Sequence, residues 1–294
     1  MTGAIVVDKP SGWTSHDVVN KVRKLFNIRK VGHLGTLDPA ATGVLPLVIG
    51  RATRLAQFYA AGDKVYDAVI HFGWATDTYD GDGEPVGDKN EPAELDRERL
   101  EALLEEFRGE IEQLPPPISA KKIHGTPAYK LARKNKPVEL KPVTVTIYSL
   151  ELLELDGPRA RLKVHCSAGT YLRTVAHDLG RKYGCGAFLE KLVRLKAAEF
   201  TLDQARTIEE LEVLAQEGRL DRAVIPAARL LPEMPSVRVD RLTETQIRQG
   251  RDFRASPFRS AKKAKLVKAI SESGDLVAIG EARLPNLYHP IVVL

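Results

Sequence analysis

The segment from Val31 to Gly43 constrains this chain most, because Gly32, Gly35, Pro39 and Gly43 break it too often for a helix to run through. Glycine opens backbone conformations closed to other residues, and proline locks φ and removes a donor. The segment therefore reads as a shaped loop that presents one carboxylate, Asp38, ahead of a buried strand over 44–49. Taken alone, an Asp before Pro is a turn-former that accepts hydrogen bonds from its own backbone. Spacing by itself favours that reading.

Around the loop, strand and helix patterns alternate. Residues 4–7 form a short apolar run, and a breaker-rich turn, 8–12, follows it. Thr14 and Asp17 have capping-box spacing, and Val18, Val19, Val22, Leu25 and Phe26 share a helical face. Residues 51–59 look helical. Over 65–72, Tyr66, Ala68, Ile70 and Phe72 fall on one side of a strand. The acids of the polar loop 77–91 superficially resemble a calcium loop, but Pro85 stands where such a loop needs glycine. An amphipathic helix is expected over 95–107, a strand pair over 143–155 and 160–167, and a helix from about Thr170 with Arg173 in its first turn. A strand over 192–202 and a helix over 207–216 complete a mixed α+β domain.

Pro226, Pro232 and Pro235 then mark a boundary, so residues 1–230 are read as the main domain and 235–294 as a small strand-rich one. The second carries Arg248, Arg251, Arg254, Arg259, Lys262, Lys263, Lys265 and Lys268, a basic density that suits a polyanion or an ordinary solvated face. A net charge of +5 fits either. The two cysteines, Cys166 and Cys185, make no Cys-x-x-Cys pair, so no zinc site is indicated. No apolar run is long enough to span a bilayer and none resembles a leader peptide. An intracellular, cytoplasmic protein with reduced thiols is expected.

The run Gly32-His33-Leu34-Gly35-Thr36-Leu37-Asp38-Pro39-Ala40-Ala41-Thr42-Gly43 resembles the signature loop of the TruB family of tRNA pseudouridine synthases. Leu34 departs from the small or hydroxyl residue that relatives often carry there. Asp8-Lys9-Pro10-Ser11-Gly12-Trp13-Thr14-Ser15, Lys64-Val65-Tyr66 with Phe72-Gly73, and Thr76-Asp77-Thr78-Tyr79-Asp80 resemble further family motifs. So do Ser119-Ala120-Lys121-Lys122 with Gly125, Ala128-Tyr129 and Ala132-Arg133, and Cys166 to Arg173. Order and spacing agree from about residue 3 to 230.

The resemblance implies a pseudouridine synthase core, with a mixed, largely antiparallel sheet flanked by helices, and a small C-terminal PUA-like β domain. It implies isomerisation of the uridine at position 55 in the tRNA T-loop, with Asp38 as nucleophile and no cofactor or metal. Arg173 would orient Asp38, against a plainer role in phosphate contact. Tyr66 would stack on the everted uracil, against a plainer role as core tyrosine. Tyr171, Asp77 and Leu192 would line the pocket, and His33 would fill the gap that the base leaves. The expected partner is the tRNA T-arm, bound by a monomer with no obligate protein partner. A guide-RNA-dependent enzyme and a tRNA-folding protein without essential catalysis are the competing readings.

Overall fold

The computed structural model describes residues 1–117, 122–123, 126–127, 141–254 and 264–294. The motif residues between Ser119 and Arg133, apart from the backbone of Lys122, and the basic residues Arg259, Lys262 and Lys263 lie outside the described residues. The principal elements are β1 (Gly3–Lys9), α1 (Ser15–Phe26), β2 (Val31–His33), β3 (Thr42–Ile49), β4 (Lys64–Phe72), α2 (Arg97–Glu105) and β5 (Gly109–Gln113). They continue as β6 (Val143–Asp156), β7 (Arg159–Cys166), α3 (Leu172–Tyr183), β8 (Ala187–Ala197) and α4 (Ile208–Gln216). The chain groups into two compact units, one of Met1–Leu37, Val44–Ala60 and Glu199–Leu294, the other of Asp38–Gly43 and Ala61–Ala198.

In the second unit the strand order is β8-β4-β7-β6-β5, antiparallel throughout. Thr42 and Gly43 add a parallel pairing with Val193 and Arg194 of β8, which makes the arrangement mixed and largely antiparallel, as expected. Alternation dictates the buried face: Tyr66, Ala68, Ile70 and Phe72 from β4 and Ala160, Leu162, Val164 and Cys166 from β7 all point inward. Helix α3 packs against β8 and β4 through Val175, Ala176 and Leu179. A side chain at Gly180 would come within 2.1 Å of the Ala187 nitrogen, so only glycine permits this approach.

In the first unit β1 lies beside β3, with Ile225–Pro226 on its other edge, and β2 pairs antiparallel with Leu47–Ile49. The capping box of α1 forms as its spacing predicts: Thr14 Oγ1 accepts from the Asp17 nitrogen and Asp17 Oδ2 from the Thr14 nitrogen. The tail has its own core, Val239, Ile247, Phe253, Val267, Ala269, Val277, Ala278 and Tyr288. It comprises a five-stranded sheet and the helix Arg241–Arg248.

Residues 51–59 are helical as expected, in the 3-10 form, running from Gly50 to Tyr59 without a side-chain cap. Other expectations shift. The strand expected over 192–202 is displaced to Ala187–Ala197, since two register irregularities disrupt its alternation and Ala198, at φ 52°, turns the chain. Lys268, counted among the tail's basic surface, is 6% exposed and donates to the carbonyls of Ala228 and Leu230.

Candidate active site

The Asp38 loop is held through its backbone. The buried hydroxyl of Ser15 accepts from the Leu37 nitrogen at 2.8 Å and donates to the Leu37 carbonyl at 3.0 Å, clamping the residue before the aspartate. Beyond it the Ala41 nitrogen donates to the Asp38 carbonyl at 3.1 Å, closing a turn. Gly43 has φ +96°, and a Cβ there would stand 2.4 Å from the Arg194 carbonyl oxygen. Glycine at this position is thus required twice, by conformation and by space.

So held, the Asp38 side chain is half-exposed while the guanidinium that meets it is buried: Arg173 Nε lies 3.0 Å from Asp38 Oδ2 with its side chain 7% exposed. A buried cation beside the N-terminus of α3 is costly without acceptors. Arg173 finds them in Asp80, with Nη1 3.4 Å from Oδ2, and in the Thr78 carbonyl at 3.2 Å. Asp80 is fixed in turn by the Thr78 hydroxyl at 2.5 Å and the Asp82 nitrogen at 3.2 Å. Tyr79 between them sits at φ 66° and stacks on His177, one turn along α3 from Arg173, with centroids 3.8 Å apart. Backbone bonds from Leu189 to Tyr79 and from Gly81 to Leu189 tether the segment to β8.

Tyr66 is 8% exposed and pairs across the ladders with Val164 and Arg194. Burial pushes its phenol up; the charge of Arg194 opposes this, while those of Cys166 and Asp38 reinforce it. Arg194 is 1% exposed, and burial pulls its guanidinium down against the opposing influence of a hydrogen bond to Tyr66. Lys64 also titrates low, through burial and then the charge of Arg194.

Asp38, Arg173 and Tyr66 therefore share one neighbourhood. Tyr171 precedes α3, with its backbone clamped by the buried amide of Gln113: its nitrogen donates to Oε1 at 3.0 Å and its carbonyl accepts from Nε2 at 3.4 Å. Leu192 is half-buried on β8 opposite Ala68. Asp77 is exposed, and its Oδ1 accepts from the Glu84 nitrogen at 2.9 Å, so the acid that reaches Arg173 is Asp80. His33 lies on β2 in the other unit, where its Nδ1 accepts from the Gly35 nitrogen at 3.4 Å. Sequence reading passed over the engaged charges of Asp80 and Arg194. The first is one acid among several in a polar loop, and the second sits where β8 loses its alternation.

The site offers a half-exposed carboxylate held by a buried arginine, and comparison with known proteins defines its class. In structure the chain resembles a chain of the H/ACA RNP bound to a substrate RNA containing 2'-deoxyuridine, with a TM-score of 0.72 and 25% identity over 99% of this chain and 84% of that one. It also resembles a chain of the archaeal box H/ACA sRNP Nop10-Cbf5 complex, with a TM-score of 0.69 and 26% identity over 96% of this chain and 79% of that one. Residues 23–172 match the model of the TruB family pseudouridylate synthase N-terminal domain, and residues 173–232 that of the tRNA pseudouridylate synthase B C-terminal domain. Fold and site thus define a pseudouridylate synthase. The tRNA pseudouridine synthase B of Solibacter usitatus is 62% identical over the whole of both chains, and that of Aquifex aeolicus 43% identical over 96% of each. The chain belongs to the TruB family.

Proposed function

We propose that this chain is an isomerase that converts the uridine at position 55 of the tRNA T-loop to pseudouridine, with Asp38 as its catalytic group. The observation that carries this reading is the contact between half-exposed Asp38 and buried Arg173, formed within motifs of a family whose relatives are named for tRNA pseudouridine synthesis. The reaction breaks the bond from N1 to C1′, turns the uracil and joins C5 to C1′; the C5 hydrogen leaves as a proton and N1 gains one. No electron changes hands, so no redox cofactor is called for. Asp38 assists either by attacking the base or sugar or by removing a sugar proton. Arg173 keeps the carboxylate aimed, and Asp80 and the Thr78 carbonyl keep Arg173 in place.

The uridine must leave its stack before a side chain can reach the glycosidic bond. Tyr66 receives the everted ring, Leu192 and Tyr171 line its surroundings, Asp77 lies near the entrance, and His33 occupies the vacated gap. Residues 1–230 carry the catalysis and 235–294 grip the tRNA by phosphate contacts. The enzyme acts as a cytoplasmic monomer without guide RNA, metal or protein partner. Among the described residues, no helix is long and apolar enough to cross a membrane. Tritium release from C5-labelled uridine in a T-arm transcript tests the reading. Release by wild type and none by Asp38→Asn is expected, whereas binding without release by wild type would favour a tRNA-folding protein.

A further inference from the structure

Among the described residues Arg194 is the largest of the fully buried side chains, and its place in the fold is unusual. Its backbone pairs on one side with Gly43, at the end of the loop that presents Asp38, and on the other with Tyr66. Directly paired across the ladder, the Arg194 and Tyr66 side chains leave the sheet on the same face, within reach of a hydrogen bond from guanidinium to phenol, and each shifts the other's titration. A guanidinium only donates, so the phenol oxygen is the acceptor and its own hydrogen is directed away from Arg194. A cation taken out of water costs several kcal/mol unless acceptors offset it, and an apolar residue would fill this interior more cheaply. Lys64 adds a second cation to the same neighbourhood.

We propose that Arg194 is a positioning residue for the reaction: by donating to Tyr66 it fixes the ring plane and the direction of the hydroxyl beside Asp38, ready for the incoming uracil. This rests on the reading that Tyr66 meets the everted base. On this proposal the effect of Arg194 on the reaction passes through the phenol. Pairing with both the Asp38 loop and the tyrosine strand sets the two groups in register.

A double-mutant cycle tests this with full-length protein and a T-arm transcript, measuring the single-turnover rate of pseudouridine formation and RNA affinity, with folding checked for each variant. Arg194→Met is expected to slow the chemical step on the order of 10²-fold, the cost of a small misplacement of a reacting partner, with affinity unchanged. Arg194→Lys, whose ammonium still donates to the phenol, recovers part of the rate. In a Tyr66→Phe background Arg194→Met costs little more, because the group it acts through is gone. Equal losses in both backgrounds, or lost affinity at an unaltered rate, would overturn the proposal alone. Tyr66→Phe at the wild-type rate would remove the reading of Tyr66 and the proposal with it. If Arg194→Met does not fold, the same cycle run with Arg194→Lys decides, since its loss must likewise vanish in the Tyr66→Phe background.

Discussion

Arg173 and Asp38 divide the usual roles of an ion pair unequally: the cation is buried and the anion half-exposed. A carboxylate in this position is available to substrate, while its orientation is set from below by a group that water hardly reaches. Asp80 makes that orientation durable, because it shares Arg173 and is itself held by Thr78 and Asp82. Asp80→Asn leaves the hydrogen-bonding shape but removes one negative charge. It is expected to slow single-turnover modification by roughly 10- to 100-fold with tRNA affinity retained, as measured by rapid quench and filter binding. A variant that binds poorly but reacts at the normal rate would assign Asp80 to RNA contact instead. The shaped loop that presents Asp38 was legible because glycines and prolines frame it, although spacing alone reads the aspartate as a turn-former. Asp80 was not, since its neighbours Asp77, Asp82 and Glu84 have the same chemistry and only the fold decides which one meets Arg173.

Among the elements, those whose periodicity answers to a single buried face were readable. The alternation of β4 and β7 and the capping box of α1 appear where the sequence puts them. The bounds of β8 were not, because a bulge shifts alternation by one. The parallel pairing of Thr42 and Gly43 with β8 is a long-range contact that no local pattern records. Gly43→Ala is therefore expected to destabilise the protein by about 2 kcal/mol or more, through strain at positive φ and the collision with Arg194. Ser15→Ala removes both clamps on Leu37 and is expected to cost about 1–3 kcal/mol. Denaturant unfolding measures each, and a change within 0.5 kcal/mol, roughly that of a surface substitution, would show that the loop is held by other means.

For the whole molecule, burial of Cys166 couples stability to alkaline pH. Burial pushes its thiol from 9.0 up to about 11. Between those values the unfolded chain gives up the proton that the folded chain keeps, so stability falls as pH rises through this window. The two-unit difference corresponds to about 2–3 kcal/mol. Cys166→Ala should flatten the urea midpoint between pH 9 and pH 11 relative to wild type, and parallel curves would refute the coupling. The boundary near residue 230 was drawn from prolines, yet the contacts group the tail with residues 1–37, 44–60 and 199–234. Lys268 binds the carbonyls of the linker, and Arg54 donates to the Val293 carbonyl at 2.7 Å. Such links between distant parts of the chain leave no trace in local composition. Deleting 235–294 is expected to weaken tRNA binding several-fold and to reduce its salt dependence, as counterion release from fewer phosphate contacts requires. The most direct measurement is a map of tRNA treated with wild type or Asp38→Asn, read by mass spectrometry after chemical tagging, since the product has the mass of uridine. The account predicts one pseudouridine, at position 55 in the T-loop, with wild type and none with Asp38→Asn; modification that survives the substitution, or wild-type modification only at other sites, would contradict it.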